Sequence, residues 1–326
     1  MILAGDIGGT HTRLGVFSSD GKELIRTETV PSKSKKTFDE IAKNFLKGGK
    51  EKIDRACIGV AGPVLDGKCE ATNLPWTLDE KKIAKSLALK KVKLENDLVS
   101  VAIGALEAPR RKIAVLQGSA PPQTTGANIA VIAAGTGLGE AILVWDGERH
   151  VPCATEGGHG DFAPRNKVEI DLLDFLQKRI GGRVSFERVV SGPGIGNLYD
   201  FFTEVVGVGE TQAAKDFVDN ASDRNAAISE LALTGKSKPA LRAIELFGSL
   251  YGSEAGNLAL RSLAVGGVLV AGGIAKHLVT LLKSGNFVKS FSDKGRMSPL
   301  LAKIPVAVVL DTEIGLAGSA ITAARL

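Results

Sequence analysis

The sequence predicts an α/β protein of two domains. Strand-like apolar runs alternate with helical patterns along the chain. The length, 326 residues, is about twice the ~150 residues of a common domain. Two Gly-rich units repeat at an offset of 126 residues. Gly9-Thr10 falls on Gly135-Thr136, Val16-Phe17 on Ile142-Leu143, and Asp20-Gly21 on Asp146-Gly147, without a gap. Each copy reads as a strand, a Gly-rich turn and a strand, so each opens one domain. Asp6 of the first copy corresponds to Ile132 of the second, so only the first turn brings a carboxylate.

The elements follow in order. Ile2-Leu3-Ala4 leads into Gly5-Asp6-Ile7-Gly8-Gly9-Thr10, and Thr12 to Phe17 alternates as a second strand. Ser18-Ser19-Asp20-Gly21 is a turn, with Asp-Gly as the hairpin signal. Arg55 to Val60 is a strand ending at Ala61-Gly62-Pro63; Lys91 to Leu94 is a short one, followed by Glu95-Asn96-Asp97 and an apolar helix from Leu98 to about Ala108. The loop from Gly118 to Ala127, with Pro121-Pro122, marks a boundary region. Beyond it, Ile129 to Ala133 is a buried-type strand, Ala134 to Gly139 a Gly-rich turn and Ala141 to Trp145 another strand. Leu241 to Leu263 is a long helix with Gly248, Gly252 and Gly256 on one face. Each glycine costs about 1 kcal/mol relative to Ala in a helix interior, which a close helix–helix approach would offset. Val265 to Val270 is a strand running into Ala271-Gly272-Gly273-Ile274, and Glu313 to Leu326 is an Ala-rich helix with Asp311-Thr312 as its N-cap region.

Composition excludes several classes. Hydrophobic residues at 44% and charged residues at 24% rule out wholesale disorder. The net charge of +5 is thin over this length, and Lys35-Lys36, Lys81-Lys82 and Lys90-Lys91-Lys93 lack interleaved aromatics. They read as solvated faces, and no nucleic-acid partner is expected. Cys57, Cys69 and Cys153 are odd in number and without zinc-ligand spacing, so they read as buried thiols in a reducing compartment. The first apolar stretch contains Asp6 and His11 and lacks a basic flank, unlike a signal peptide. The run from Val265 to Ile274 falls far short of the roughly 20 residues of a membrane helix. The expectation is a soluble, cytoplasmic protein without a membrane partner.

Five places could carry chemistry. In Asp6-Ile7-Gly8-Gly9-Thr10 the missing Cβ atoms let backbone N–H groups converge on an anion, while Asp6 can face a phosphate-bound cation and Thr10 can donate to phosphate. The same residues also make an ordinary hairpin turn. No Gly-Lys-Ser/Thr follows, and a strand rather than a helix comes next, so neither a Walker loop nor a Rossmann fingerprint is present. Gly135-Thr136-Gly137-Leu138-Gly139 offers a second such turn, and Gly272-Gly273 a third place where backbone can approach a flat ligand. Asp97 is a helix N-cap or a base for an attacking hydroxyl, with Asn96 beside it to bond a neighbouring hydroxyl; spacing leaves both readings open. Glu156-Gly157-Gly158-His159 sets a carboxylate and an imidazole among glycines, which suits a polyol or a plain turn histidine. Glu187 by itself reads as a first-turn helix carboxylate. His11, His150, His159 and His277 show no zinc-ligand spacing, so no protein-held metal is expected.

Taken together, Gly5-Asp6-Ile7-Gly8-Gly9-Thr10, Asn96-Asp97, Gly135-Thr136-Gly137-Leu138-Gly139, Glu156-Gly157-Gly158-His159, Glu187-Arg188 with Ser191-Gly192-Pro193-Gly194, and Ala271-Gly272-Gly273-Ile274 stand in the order of bacterial-type glucokinases. Lys294-Gly295-Arg296 before Ile304-Pro305-Val306 and Gly315-Leu316-Ala317-Gly318 extend the resemblance nearly to the end of the chain. The resemblance implies the actin-like ATPase (ribonuclease H-like) fold, with a central cleft between a small α/β domain, 1–110 completed by a helix over 312–326, and a large one, 111–311. It implies that Asp97 is the base for the sugar 6-hydroxyl, with Asn96, Asp97, Glu156, His159 and Glu187 at the sugar. Gly5, Asp6, Ile7, Gly8, Gly9, Thr10, Gly135, Thr136, Gly137, Gly272 and Gly273 match the ATP site. Magnesium would travel with ATP, with Asp6 organising its water shell, and the expected assembly is a homodimer. The cysteine-rich zinc motif of related repressor-type kinases is absent, and Gly160 stands where bulkier residues are common. The implied reaction makes glucose 6-phosphate and ADP from glucose and ATP. The alternatives are a kinase for another hexose or amino sugar and a non-enzymatic sugar sensor. A repressor-type sensor would carry a helix-turn-helix, for which there is no room before Ile2, and retention of Asp97 favours chemistry.

Overall fold

In the computed structural model, which describes residues 1–71, 74–120 and 126–326, two compact units emerge. One is Met1–Pro109 with Pro152–Ala154 and Asp311–Leu326; the other is Arg110–Val151 with Thr155–Leu310. Pro121-Pro122 of the expected boundary loop lies outside the described residues.

The first unit is built on β1 (Ile2–Ile7), β2 (His11–Phe17), β3 (Leu24–Pro31) and β4 (Arg55–Val60). A short ribbon, β5 (Lys68–Glu70) and β6 (Thr77–Asp79), precedes β7 (Lys91–Asn96). The main sheet runs β3-β2-β1-β4-β7, with β1–β2 antiparallel and β1–β4–β7 parallel. β1 and β4 are covered on both faces, which is why they read as continuous apolar runs. Leu3 and Ile7 pack with Phe38, Ile41 and Phe45 of the helix Phe38–Lys47. Ile2 and Ala4 alternate to the other face and pack on Leu316, Ala320 and Ala323 of the helix Ile314–Ala324. That last helix crosses the helix Asp97–Leu106 through glycines: a Cβ at Gly104 would overlap the Ile314 carbonyl, and one at Gly318 the Ser100 carbonyl.

The second sheet holds β8 (Ile113–Gln117), β9 (Ile129–Ala134), β10 (Leu138–Trp145), β11 (His150–Thr155, whose Pro152–Ala154 falls in the first unit), β12 (Gly267–Ala271) and β13 (Val306–Val309), ordered β11-β10-β9-β12-β13-β8. The strand order β3-β2-β1-β4-β7 of the first sheet thus recurs as β11-β10-β9-β12-β13. The repeat is structural, but it is not gapless. Ile2–Ile7 matches Ile129–Ala134, 127 positions on, whereas Thr12, partner of Ile7, matches Leu138, partner of Ala134, 126 positions on. The second turn is one residue shorter, and Asp6 corresponds to Ala133 rather than Ile132.

The long helix spans Lys238–Ser262, starting earlier than expected because Ser237 caps it, accepting the Ala240 N–H at 3.1 Å, and Pro239 fits the first turn. Its glycines receive the helix Asn286–Ser292: a Cβ at Gly252 would overlap the Phe287 carbonyl oxygen, and one at Gly256 would come within 2.5 Å of that of Phe291. Gly248 has no such neighbour, since its nearest contact would be Leu282 at 3.8 Å. Cys57 and Cys69 are buried as expected, but Cys153 is exposed, because β11 has a largely exposed side-chain pattern.

Candidate active site

In the first unit β7 ends at Asn96, whose Oδ1 accepts the Leu98 N–H at 2.9 Å and caps the helix Asp97–Leu106. The capping role considered for Asp97 therefore falls to Asn96. Asp97 is the first helical residue, its own Oδ1 accepting the same N–H at 2.9 Å. A carboxylate in the first turn is favoured by the helix dipole. Asn96 Nδ2 donates to the Gly62 carbonyl at 3.3 Å. Beneath them Glu95 is buried and accepts from Ser100 Oγ at 2.6 Å and Thr322 Oγ1 at 3.2 Å. Burial raises its pKa against those bonds. Ser319 Oγ donates to the Gly5 carbonyl at 3.0 Å and lies 2.9 Å from Ser100 Oγ. A buried polar chain thus joins the strand before the first Gly-rich turn to the helix that carries Asp97.

The turn itself is Gly8-Gly9-Thr10. Gly8 N–H donates to His11 O at 3.0 Å, while Ser32 donates through Oγ to Gly8 O at 2.7 Å and through N–H to Thr10 O at 2.9 Å. Ser32, buried and not singled out in the sequence, fixes both carbonyls. Thr10 is exposed. Gly5 and Ile7 lie inside β1, where Ile7 is core and a Cβ at Gly5 would meet Ile58 at 2.8 Å. Asp6 stands cross-strand from Arg13 and beside Gly315. Burial raises its pKa, and the Arg13 cation opposes that.

In the second unit three separated residues converge. His159 Nε2 lies 4.0 Å from Glu156 Oε2, and its Nδ1 lies 4.0 Å from Glu187 Oε1. Glu187 Oε2 accepts the Leu138 N–H at 3.1 Å, which joins this cluster to the second Gly-rich turn. Glycines clear the space: a Cβ at Gly158 would overlap the Leu138 carbonyl, and one at Gly137 would displace the Glu187 carboxylate. Glu187 sits in a 3-10 turn, Phe186–Arg188, rather than opening an α-helix. Behind it Ser191 Oγ donates to Glu187 O at 2.7 Å and accepts the Gly194 N–H at 3.0 Å, starting the helix Gly192–Asp200.

A cavity of about 400 Å³ opens beside this turn, lined by Gly135, Thr136, Gly192, Asn225, Ser229 and Gly273 among others. Gly192 N–H donates to Gly135 O at 2.8 Å, and Cβ atoms at Gly135 and Gly273 would meet nothing within 4 Å. Gly272 adopts φ 91°, and a Cβ there would come within 2.7 Å of Ala134 O, so only glycine turns this corner from β12. Asp223, Asn225 and Ser229 line the cavity without having been singled out in the sequence, and so does His277, which the sequence raised only as a metal ligand. Asp223 also caps the helix that follows, accepting from Asn225 and Ala226 N–H at 3.0 Å each.

The family model described as Glucokinase matches residues 3–326. The chain belongs to the glucokinase family. It is 41% identical to a glucokinase of Synechocystis sp. over 99% of this chain and 98% of that one. A crystal structure of glucokinase from an Antarctic psychrotroph is 31% identical, with a TM-score of 0.83, covering 100% of this chain and 99% of the other. A ROK family glucokinase from Streptomyces griseus, crystallised with glucose and AMPPNP, shares the fold at 22% identity and a TM-score of 0.69 over 100% and 99% of the two chains. The architecture is accordingly the actin-like two-domain ATPase fold of sugar kinases, and the enzyme is an ATP-dependent glucose kinase.

Proposed function

We propose that this glucokinase phosphorylates the 6-hydroxyl of glucose with Asp97 as proton acceptor. Asn96, Asp97, Glu156, His159 and Glu187 serve the sugar, and the turns around Gly8 and Gly135, with Gly272-Gly273, serve ATP. The observation that carries the sugar assignment is the convergence of Glu156, His159 and Glu187, two acceptors flanking an imidazole. Such a set matches the mixed donors and acceptors of a polyol.

The chemistry follows from what each group can do. The Asp97 carboxylate takes the proton from the 6-oxygen as that oxygen bonds to the γ-phosphorus, and the bond from phosphorus to the ADP oxygen breaks. Thr10 and the backbone N–H groups of Gly9 and Thr136 offer donors to phosphate oxygens, while the Gly8 and Gly135 N–H groups brace their own turns by donating to His11 O and Gly137 O. The cavity beside Gly135 has the size and small-residue lining to take the nucleoside end of ATP. Among the described residues no group of three His, Cys, Asp or Glu side chains could hold a metal ion. The half-buried Asp6, beside the first turn, fits a hydrated cation carried in by ATP. Magnesium bound to the nucleotide supplies neutralisation of the phosphate charge.

A homodimer belongs to the same proposal and rests on the family likeness; sedimentation of the purified chain tests it. No helix among the described residues is long and apolar enough to cross a membrane, and a cytoplasmic location is likewise proposed. A coupled assay for ADP release tests the activity: release should depend on glucose and fall about 10²- to 10⁴-fold in Asp97→Asn. Glucose-independent release of equal rate would overturn the assignment.

A further inference from the structure

Behind the Glu156–His159 turn lies a buried carboxyl that the proposed chemistry does not use. Glu140 stands on β10, two residues beyond the Leu138 whose N–H holds Glu187, and it is 1% exposed. Its carboxyl meets that of Glu254 on the long helix, which is 0% exposed. Glu254 is already satisfied as an anion, accepting from Arg261 Nη1 and Asn257 Nδ2 at 2.8 Å each. Glu140 Oε1, by contrast, has no hydrogen-bond partner among the described residues.

The other carboxyl oxygen of Glu140 lies against the turn. A Cβ at Gly157 would overlap Glu140 Oε2, so the backbone next to Glu156 rests on this carboxyl. Thr155 completes the contact: its Oγ1 donates to the Glu140 carbonyl at 3.0 Å and accepts the Gly157 N–H at 3.2 Å. Glu156 is thus bracketed by two residues that both touch Glu140.

We propose that Glu140 is a positioning residue for the sugar-binding turn, acting as a neutral acid that donates to Glu254 and seats Gly157 so that Glu156 and His159 face the sugar. This rests on the reading of Glu156, His159 and Glu187 as sugar ligands. Burial, then the Glu254 charge, with Arg261 opposing, push the Glu140 carboxyl up to about 8. Other titratable groups of the surroundings are Tyr251 on the long helix, Glu156 and His159 on the turn, and Lys294. Lys294 is held by Ser253 O at 3.0 Å and Asn257 Oδ1 at 2.7 Å, so it is committed to the Glu254 side of the network. When Glu140 loses its proton, two carboxylates confront each other beneath Gly157, and the turn loses its seat.

Glucose titration calorimetry from pH 6.5 to 9.5, in buffers of different ionisation heat and without nucleotide, tests this. The wild-type dissociation constant should rise about tenfold between pH 7.5 and 9, with close to one proton taken up on binding at pH 9. Glu140→Gln, neutral and able to donate to Glu254, should bind glucose like the wild type at pH 7 and show neither the rise nor the proton uptake. A flat wild-type profile, or a Glu140→Gln profile that rises as the wild type does, overturns the proposal. Gly157→Ala reads the same contact if Glu140→Gln does not fold: glucose affinity should fall tenfold or more with KM for ATP unchanged, and unaltered affinity overturns the proposal. Glu187→Ala separates the two layers. Unaltered glucose affinity in that variant overturns the sugar assignment and this proposal together, whereas a loss there beside a rising Glu140→Gln profile overturns this one alone.

Discussion

Glu187 accepts the backbone N–H of Leu138 at 3.1 Å, so a carboxylate assigned to the sugar is anchored on the turn assigned to phosphate. Removing Glu187 should therefore be felt at both substrates. Losing one charged hydrogen bond costs about 1.5–3 kcal/mol, and Glu187→Ala also frees the Leu138 amide. We expect KM for both glucose and ATP to rise, about tenfold or more for glucose. Initial rates with each substrate varied in turn check this, and a change confined to one substrate would uncouple the two sites.

Glu156 makes the contrast. It is exposed and lies 4.0 Å from His159, and among the described residues its side chain makes no hydrogen bond to the Gly135–Gly137 turn. Glu156→Ala should raise KM for glucose, again by about 1.5–3 kcal/mol of lost binding, and leave KM for ATP nearly unchanged. An effect on ATP alone would put Glu156 at the other ligand.

Asp97→Asn separates chemistry from structure. Asn96 supplies the cap through its own bond to Leu98, and an Asn at 97 can still accept the same N–H. The melting temperature should stay close to wild type while kcat falls about 10²- to 10⁴-fold, the usual size of general-base catalysis. Near-normal turnover in a folded variant would leave Asp97 with a local structural role only.

Much of this was legible in the sequence, for physical reasons that also mark where legibility ended. β1 and β4 are buried on both faces and so appear as apolar runs, and the Gly-rich turns punctuate them. The one-residue deletion in the second turn was invisible, because Gly9-Thr10 and Gly135-Thr136 align well whether or not the strand before them has shifted. The sequence left open whether Asp97 is a cap or a base, and only the end of β7, which makes Asn96 the flanking residue, assigns the cap. Cys153 looked buried by type, but its strand exposes it. Asn225, His277 and Glu140 gained their surroundings from elements far along the chain, which no local pattern records.

The buried acid Glu140 and the half-buried amine of Lys294, both in the second unit, should shape stability against pH with opposite signs. Glu140 has a folded pKa of about 8, raised from 4.5, so its contribution is complete below pH 4.5 and is lost as pH rises through 8. Lys294 is lowered from 10.5 to about 8, chiefly by burial, so the folded state sheds its proton first and stability recovers between pH 8 and 10.5. Urea unfolding across pH should show the fall below 8 disappear in Glu140→Gln while the change above 8 persists. A persistent fall in that variant would place the titration on another group.

The long helix offers two alanine substitutions of identical chemistry and opposite sign. At Gly252 a methyl would overlap the Phe287 carbonyl oxygen, which is backbone and cannot rotate away. Phe287 is itself fully buried, with its ring 5.5 Å from Tyr251, and the Tyr251 hydroxyl accepts the Ala134 N–H at 3.0 Å ahead of the second Gly-rich turn. Gly252→Ala must therefore push one helix off the other, and overpacking of this kind costs about 1–3 kcal/mol. At Gly248, one turn earlier, the nearest atom to a new Cβ would be a Leu282 methyl at 3.8 Å, an ordinary contact. There the helix propensity of Ala should prevail and raise stability by about 1 kcal/mol. Paired urea melts of the two variants read the difference directly. Equal destabilisation would mean that the helix tolerates no side chain along this whole face, and equal stabilisation that the two helices are not in backbone contact at Gly252.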